Sequence, residues 1–376
     1  MSAETSKYEA LFSPILINHL KLENRLMMSP THDGLADPEG FVEQKTIEFY
    51  LKRAKGGVGM VGIGAVDVSP RKSPHARLTA DRFIPGWKEM VDRIHSESNA
   101  KVCPQFIHAR KMARGWQQDI SDLSIEEVQK TIDLFEEGAV RALKVGFDAI
   151  EIHAAHGYTI SGFLSLRNRR KDEYGGSIDG RIKILADIYE RVRAVVGGSY
   201  PVGVRINGDE FIVGGNTLQH SRIIARKLAE MGFDYISVSA GGKYEDSAAT
   251  HPKYGSPWPY PSSGGYSGHR CMPPAQFPEA VNVYLAADIR KTIRQAGYST
   301  PIITAGRIPH PKLAENILRD EQADIIGLSR PLLRDPDWPI KAREGRDKEI
   351  TRCTYCNECM DRLVLDEPGL CVFVNE

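Results

Sequence analysis

The sequence lacks an excess of either charge, and it lacks long hydrophobic runs. Its 49 Lys and Arg residues balance 49 Asp and Glu residues, so the composition gives no general attraction to nucleic acid or to an anionic membrane. No apolar run approaches the ~18 residues of a membrane span. The first residues, Met1 to Leu11, carry no apolar signal segment. We therefore expect a cytoplasmic enzyme for a small molecule, without nucleic-acid or membrane partners.

A dinucleotide-binding fingerprint is also absent. The glycine cluster Gly56-Gly57-Val58-Gly59 comes before an apolar run, whereas the GxGxxG motif of a dinucleotide fold follows its strand. No short repeat or low-complexity tract interrupts the chain. These absences predict that electrons do not enter through a nucleotide-binding domain within this sequence.

Eight short apolar runs alternate with stretches of helical period, such as 124–145 and 221–231. Strands that alternate with helices favour an α/β fold with a closed parallel sheet, the (β/α)8 TIM barrel, whose reactive residues lie at the carboxyl ends of the strands. We assign residues 1–345 to this barrel. The segment 241–277 is too long for an ordinary connection and is expected to cover a ligand. The runs are 25–29, 58–63, 101–107, 147–153, 201–206, 235–239, 301–304 and 324–328.

Four of the six cysteines lie near the end of the sequence, at Cys353, Cys356, Cys359 and Cys371. Three thiolates at two-residue intervals with a fourth on a returning loop is the spacing of a [4Fe-4S] ligand set. A zinc site is the alternative, although it usually shows two separated CxxC pairs. We assign residues 346–376 to an iron–sulfur segment. Cys103 lies in an apolar run and is expected to fill the core.

The motif His153-Ala-Ala-His156-Gly-Tyr158 ends the fourth apolar run, and with several further stretches it resembles the signature of the old yellow enzyme family of FMN-dependent barrels. The cysteine segment narrows the resemblance to the branch that includes 2,4-dienoyl-CoA reductase and trimethylamine dehydrogenase. That branch carries a [4Fe-4S] cluster beside the barrel. The further stretches are Asn24-Arg25 before Met28-Ser29-Pro30, Asn168-Arg169-Arg170, Asp172-Glu173-Tyr174-Gly175-Gly176, Val204-Arg205 and Arg330-Pro-Leu-Leu-Arg-Asp335-Pro336.

The resemblance implies a bound FMN, and elementary chemistry agrees at two positions. A guanidinium such as that of Arg205 can stabilise an anionic reduced flavin ring. Gln105 offers both a donor and an acceptor for the flavin's amide-like groups. Glycine-bearing turns after the seventh and eighth strands are common phosphate sites in barrels. The predicted FMN-binding residues are Ser29, Pro30, Thr31, His32, Ala65, Gln105, Arg205, Ala305, Gly306, Arg307, Ser329 and Arg330.

His153, His156 and Tyr158 are the predicted catalytic residues. Reduction of an activated C=C bond builds negative charge on the substrate's carbonyl oxygen, which two imidazoles can stabilise. The Tyr158 phenol can then protonate the α carbon. We therefore expect a flavin-dependent ene-reductase that acts on an enoate, an enone or an enoyl- or dienoyl-CoA. Glu151, which alternates with the histidines, is expected to be structural.

Two departures from the resembled branch shape these expectations. His32 stands where trimethylamine-type members carry a cysteine bonded to the flavin, so the FMN should be noncovalent. Both resembled enzymes continue past the cluster into nucleotide-binding domains that this sequence lacks. Electrons should therefore reach the flavin through the cluster from a partner protein or subunit, or directly from NAD(P)H at the flavin face, and the cluster favours the partner route. The sequence is then one subunit of a two-component reductase or part of a longer enzyme. A homo-oligomer is compatible with the sequence.

Three other functions remain open. In an amine dehydrogenase or N-demethylase, aromatic residues of the segment 241–277 could form a cage around a quaternary amine. An electron-transfer subunit without its own substrate is the second alternative, and it is disfavoured because the histidine pair would then have no catalytic role. A zinc-stapled barrel would carry unrelated chemistry. The candidate cage residues are Tyr254, Trp258, Tyr260 and Tyr266.

Overall fold

The computed structural model describes residues 7–69, 75–108, 112–113, 116–117, 119–242, 265–364 and 367–374. Within these residues there are twelve β-strands and twelve α-helices. The strands are β1 (Ile15–Ile17), β2 (Leu20–Leu22), β3 (Leu26–Met28), β4 (Met60–Asp67), β5 (Lys101–Ile107), β6 (Met112–Ala113), β7 (Trp116–Gln117), β8 (Ile150–Ala154), β9 (Val202–Asn207), β10 (Tyr235–Ser239), β11 (Ile302–Ala305) and β12 (Ile325–Leu328).

The helices surround these strands. They are α1 (Gln44–Lys55), α2 (Ile84–Glu97), α3 (Ile125–Val145), α4 (Thr159–Leu164), α5 (Ile178–Val196), α6 (Leu218–Met231), α7 (Gly265–Cys271), α8 (Val283–Gln295), α9 (Pro311–Arg319), α10 (Arg330–Arg334), α11 (Trp338–Arg343) and α12 (Glu358–Val364).

Eight strands close into a parallel barrel in the order β10-β11-β12-β3-β4-β5-β8-β9. Each of the eight apolar runs overlaps one barrel strand, so the predicted TIM barrel is confirmed. Strand β8 is buried along its whole length, as expected for a parallel strand that is covered on both faces. The largest difference from the prediction is β4, which continues to Asp67 rather than ending at Ile63. Its pairing with β5 shifts register between Ile63 and Val66, and this irregularity carries the strand past Gly64.

Helix α3 shows how the local sequence sets an element. The Ser124 side chain accepts a hydrogen bond from the Glu127 backbone N–H, and the Glu127 carboxylate accepts one from the Ser124 N–H. This capping box satisfies two backbone donors at the start of the helix. Gly146, in the left-handed conformation with φ 91°, ends it. The predicted range 124–145 is confirmed, with Ser124 as the cap.

The amino-terminal end of the barrel is closed by the β1–β2 hairpin. Ile17 and Leu22 pack against Met27, Met60 and Cys103 in one buried apolar cluster. Cys103 is fully buried there, as the sequence predicts for a core residue. Because this end is closed with apolar side chains, the carboxyl end of the barrel is left for polar groups.

None of the helices in the described parts of the chain is long and apolar enough to cross a membrane. The division of the chain at residues 345 and 346 stays a prediction. Beyond it, the structure describes a short 3-10 turn, Asp347–Glu349, and helix α12.

Candidate active site

A cleft of about 1000 Å³, part of it open to solvent, lies at the carboxyl ends of the barrel strands. It brings together all the residues that the sequence predicts for FMN binding and catalysis, although their roles as ligands stay predictions. These residues are Ser29, Pro30, Thr31, His32, Ala65, Gln105, His153, His156, Tyr158, Arg205, Ala305, Gly306, Arg307, Ser329 and Arg330.

The two histidines meet directly. His153 lies in β8 and His156 follows the strand in a left-handed conformation, with φ 60°. Nε2 of His153 is 3.1 Å from Nδ1 of His156. Nδ1 of His153 accepts a hydrogen bond from the Ala155 backbone N–H at 3.1 Å. A neutral imidazole carries one N–H, so the proton of His153 is on Nε2, which points at His156.

The outer nitrogen of His156 bonds to a serine. Nε2 of His156 lies 2.6 Å from the Ser239 hydroxyl at the end of β10. The Arg205 guanidinium donates to the same hydroxyl oxygen at 3.3 Å. Because arginine only donates, Ser239 accepts from Arg205, and its second lone pair can accept the Nε2–H of His156. Nδ1 of His156 accepts from Nε2–H of His153, so the neutral His156 carries its own proton on Nε2.

Both imidazoles are held neutral, and Tyr158 is held protonated. Burial, followed by the charge of Arg205, lowers the pKa of His153 and that of His156 well below the ordinary value. Burial raises the pKa of Tyr158 to about 12. The Tyr158 ring centroid is 4.9 Å from that of His153. The cleft therefore offers neutral imidazole donors and a phenol proton within one small region.

Gln105 is oriented by a buried carboxyl group. Its Nε2 donates to Oε1 of Glu151 at 2.6 Å, and the two residues are register partners on β5 and β8. Burial raises the pKa of Glu151. Glu151 is fully buried and is absent from the cleft lining, in agreement with the structural role that the sequence predicts.

Several buried polar atoms around the cleft have no hydrogen-bond partner among the described residues. They include Nε of Arg205, Oγ1 of Thr304 and Nε of Arg307. Buried polar groups are rarely left unpaired in proteins. A polar, anionic group with hydrogen-bonding edges, such as FMN, fits this set.

The four cysteines predicted as cluster ligands line a second, smaller cavity of about 330 Å³. Burial raises the pKa of Cys353 and raises that of Cys359 to about 12, while the charge of Arg330 acts in the opposite direction. Cys356 is exposed. Among the described residues, no three His, Cys, Asp or Glu side chains form a group that could hold a metal ion. The iron–sulfur site therefore stays a prediction.

Two kinds of site residue are not predicted from the sequence. Ser239 ends β10 and contacts His156, which follows β8, and only the three-dimensional structure brings these two strand ends together. The missed residues that line the cleft are Gly64, Cys271, Met272, Pro273, Ile308, Gly327, Leu328, Pro331, Tyr355 and Met360. Cys271 to Pro273 belong to the segment 241–277, so its length was a usable signal.

The candidate aromatic cage does not assemble in the described structure. Tyr254, Trp258 and Tyr260 lie outside the described residues. Tyr266 is half-exposed, and its ring contacts Phe211 and Phe277 rather than the cleft.

Comparison with known proteins decides the family. The sequence profile described as "NADH:flavin oxidoreductase / NADH oxidase family" matches residues 10–248 and 275–349. The chain belongs to this family. Members of this family are flavin enzymes, so the chain is an FMN-dependent flavin oxidoreductase.

Individual relatives cover nearly the whole chain. An NADH oxidase of Thermoanaerobacter brockii is 35% identical over 92% of this chain and 52% of its own length. A cinnamate reductase of Clostridium sporogenes is 28% identical over 95% of this chain and 56% of its own length. A 2-naphthoyl-CoA reductase in complex with 2-naphthoyl-CoA superposes with a TM-score of 0.83 at 27% identity, over 97% of this chain and 56% of that one. The chain thus spans about half the length of these relatives.

Proposed function

We propose that this family member is an ene-reductase, which reduces the activated C=C bond of an enoate, an enone or an enoyl- or dienoyl-CoA. One observation carries the proposal: His153 and His156 meet at 3.1 Å through inner ring nitrogens, in the same cleft as the flavin residues and Tyr158. The names of two relatives, a cinnamate reductase and a 2-naphthoyl-CoA reductase, support this class of reaction.

The histidine pair is suited to bind a carbonyl oxygen. Nε2–H of His153 donates to Nδ1 of His156, and Nε2–H of His156 donates to Ser239. A substrate carbonyl oxygen that replaces Nδ1 of His156 as the acceptor would receive the Nε2–H of His153. A shift of the His156 proton to Nδ1, with Ser239 then donating to Nε2, would supply the second donor to that oxygen. Stabilisation of that oxygen by the two donors grows as negative charge builds on it during attack at the β carbon. Neutral imidazoles stabilise this charge by hydrogen bonding and keep their own protons.

Tyr158 completes the addition. Its hydroxyl keeps its proton because burial raises its pKa to about 12. When the electron pair of the enolate returns to the α carbon, the phenol can transfer a proton there. When bound, FMN supplies the hydride and a [4Fe-4S] cluster supplies single electrons.

The reaction class is tested by mixing anaerobic protein with substrates in two directions. Dithionite-reduced protein should regain its oxidised flavin absorbance with cyclohexenone, cinnamate or crotonyl-CoA. Oxidised protein should show no bleaching with trimethylamine or dimethylglycine. Flavin reduction by an amine, together with no reoxidation by any of the three alkenes, would favour the amine dehydrogenase alternative and reject the proposal.

We further propose that Cys353, Cys356, Cys359 and Cys371 hold a [4Fe-4S] cluster. Four thiols around one cavity match the tetrathiolate set of such a cluster. A zinc site usually shows two separated CxxC pairs, whereas here Cys353, Cys356 and Cys359 share a middle member. The exposed position of Cys356 suits electron entry from a redox partner protein at the surface.

Metal analysis and variants test the cluster and the electron route. About four irons and four sulfides per chain are expected, and acid precipitation should release the flavin into the supernatant because the FMN is noncovalent. Cys356→Ala should abolish reduction by a reduced partner flavoprotein while dithionite still reduces the flavin. Zinc in place of iron, or a flavin that stays in the pellet, would contradict these proposals.

A further inference from the structure

Tyr355 stands at the boundary between the two cavities. It lies between Cys353 and Cys356 in the sequence, yet its side chain lines the flavin cleft rather than the cysteine cavity. Arg330, which begins α10, lines both cavities. The cysteine segment therefore contributes a side chain to the flavin site.

The Tyr355 hydroxyl is buried without a partner. The residue is only 4% exposed, and its hydroxyl has no hydrogen bond within the described part of the chain. Its ring centroid lies 4.6 Å from the guanidinium carbon of Arg307 and 4.7 Å from that of Arg330. A buried hydroxyl normally has a hydrogen-bond partner, so the Tyr355 hydroxyl is available to a ligand of the cleft.

The backbone around Tyr355 holds this position in place. Tyr355 and Asn357 both adopt left-handed conformations, with φ 58° and 67°. The Asn357 side chain makes two hydrogen bonds that hold the turn. Its Oδ1 accepts from Arg330 at 2.5 Å, and its Nδ2 donates to the Met272 carbonyl at 3.1 Å. The Tyr355 backbone N–H donates to Sγ of Cys353 at 3.3 Å. Hydrogen bonds of residues before and after Tyr355 therefore hold the turn that carries its ring.

We propose that the Tyr355 hydroxyl donates a hydrogen bond to the phosphate group of FMN. The two guanidinium groups beside the ring attract an anion, and the phosphate is the anionic part of FMN. Arg307 and Arg330 follow β11 and β12, where barrels commonly hold phosphate. A hydroxyl that donates to an anion makes a charge-assisted bond, which is stronger than a neutral one.

Tyr355→Phe tests this without any substrate, because the ring stays and only the hydroxyl is removed. Apoprotein freed of flavin is titrated with FMN and, separately, with riboflavin, which lacks the phosphate, and the loss of flavin fluorescence gives each Kd. We expect the Kd for FMN to rise ~10-fold or more, the usual scale for one hydrogen bond to a charged group. The Kd for riboflavin should change less than ~2-fold.

Tyr284→Phe is the matched control, since Tyr284 is half-exposed and outside the cleft lining. Its Kd values for FMN and riboflavin should equal those of the unsubstituted protein. Circular dichroism and iron content of Tyr355→Phe should also be unchanged. An equal rise in the Kd values for FMN and riboflavin would show that the hydroxyl contacts the part that the two flavins share, and this would overturn the proposal. Unchanged binding of both flavins, or loss of iron together with FMN, would also overturn it. None of these outcomes depends on whether the enzyme reduces alkenes.

Discussion

Burial keeps individual residues in the cleft in one protonation state over a wider pH range than water would. His153 and His156 stay neutral because burial and the charge of Arg205 disfavour an imidazolium. Tyr158 stays protonated because burial disfavours a phenolate. The same burial that removes water from the site thus sets up both the oxygen donors and the proton donor.

A pH profile follows from these shifts. The histidine pKa values lie below the ordinary ~6.5, so lowering the pH from 8 to 6 leaves both imidazoles neutral. The pKa of Tyr158 is about 12, so raising the pH to 9 leaves the phenol protonated. Reoxidation of the reduced flavin by cyclohexenone should therefore change less than ~2-fold between pH 6 and 9 in stopped-flow absorbance. A sigmoidal change with a midpoint near 6.5 would show that one of the histidines titrates.

Tyr158→Phe separates hydride transfer from protonation. The variant keeps the aromatic ring and lacks the hydroxyl, which is the proposed proton donor. Reoxidation of the flavin by cyclohexenone should remain within ~10-fold of the unsubstituted rate, whereas release of saturated product should slow by ~10²-fold or more, the usual contribution of a general acid. Rapid-quench product analysis beside flavin absorbance measures both. Equal slowing of the two steps would assign the proton to another group.

The sequence predicts that a residue lies in the cleft where its place near a strand end is enough. Gln105 and Arg205 line the cleft as expected, because the apolar runs mark the ends of β5 and β9, while their roles toward FMN stay predictions. Ser239 and Tyr355 are not found, because their contacts depend on register and on a left-handed turn. Neither feature leaves a hydrophobic pattern in the sequence.

At the scale of elements, the ends of β8 and β10 position the histidine pair. Gly242 follows β10 and forms an isolated bridge with His156. A Cβ atom at Gly242 would lie 2.3 Å from Cα of His156, and its φ of 152° is also unusual for other residues. The absence of a side chain at Gly242 therefore allows His156 to reach Ser239.

Gly242→Ala should displace His156 and slow cyclohexenone reduction by ~10²-fold, because a misplacement of about 1 Å at a catalytic group has that cost. FMN content should stay the same, since Gly242 is outside the cleft lining. Gly198→Ala serves as the control, because an added Cβ meets no atom within 4 Å there. An active Gly242→Ala protein would mean that the strand ends adjust without disturbing the pair.

Element boundaries were predictable where a standard cap is present. Ser124 and Glu127 mark the start of α3 in the sequence itself. Helix α6 begins at Leu218, three residues before the predicted 221. There the backbone N–H of Thr217 bonds to Nδ1 of His220 at 3.2 Å, so a histidine replaces the usual Glu or Gln of a capping box. Apolar periodicity alone does not detect such a cap.

On the scale of the whole molecule, two cavities share one wall. The flavin cleft is built by the barrel strands, and the cysteine cavity is built by the segment that follows them and by α10. Arg330 belongs to both. A cluster held by the four cysteines would therefore lie beside an FMN bound in the cleft, as electron transfer between them requires. The barrel was predictable from alternating patterns, whereas the shared wall requires the three-dimensional path of residues 353–357.

Single-turnover kinetics of His153→Ala and His156→Ala show whether the histidine pair activates a substrate oxygen. Dithionite-reduced protein is mixed with cyclohexenone or with ferricyanide, which needs no oxygen donors, and flavin absorbance is followed; exposed His19→Ala is the control. Either cleft variant should reoxidise ~10²-fold more slowly with cyclohexenone and at an unchanged rate with ferricyanide, whereas His19→Ala should change neither rate. Unchanged rates with cyclohexenone in both cleft variants would contradict the proposed role of the histidine pair.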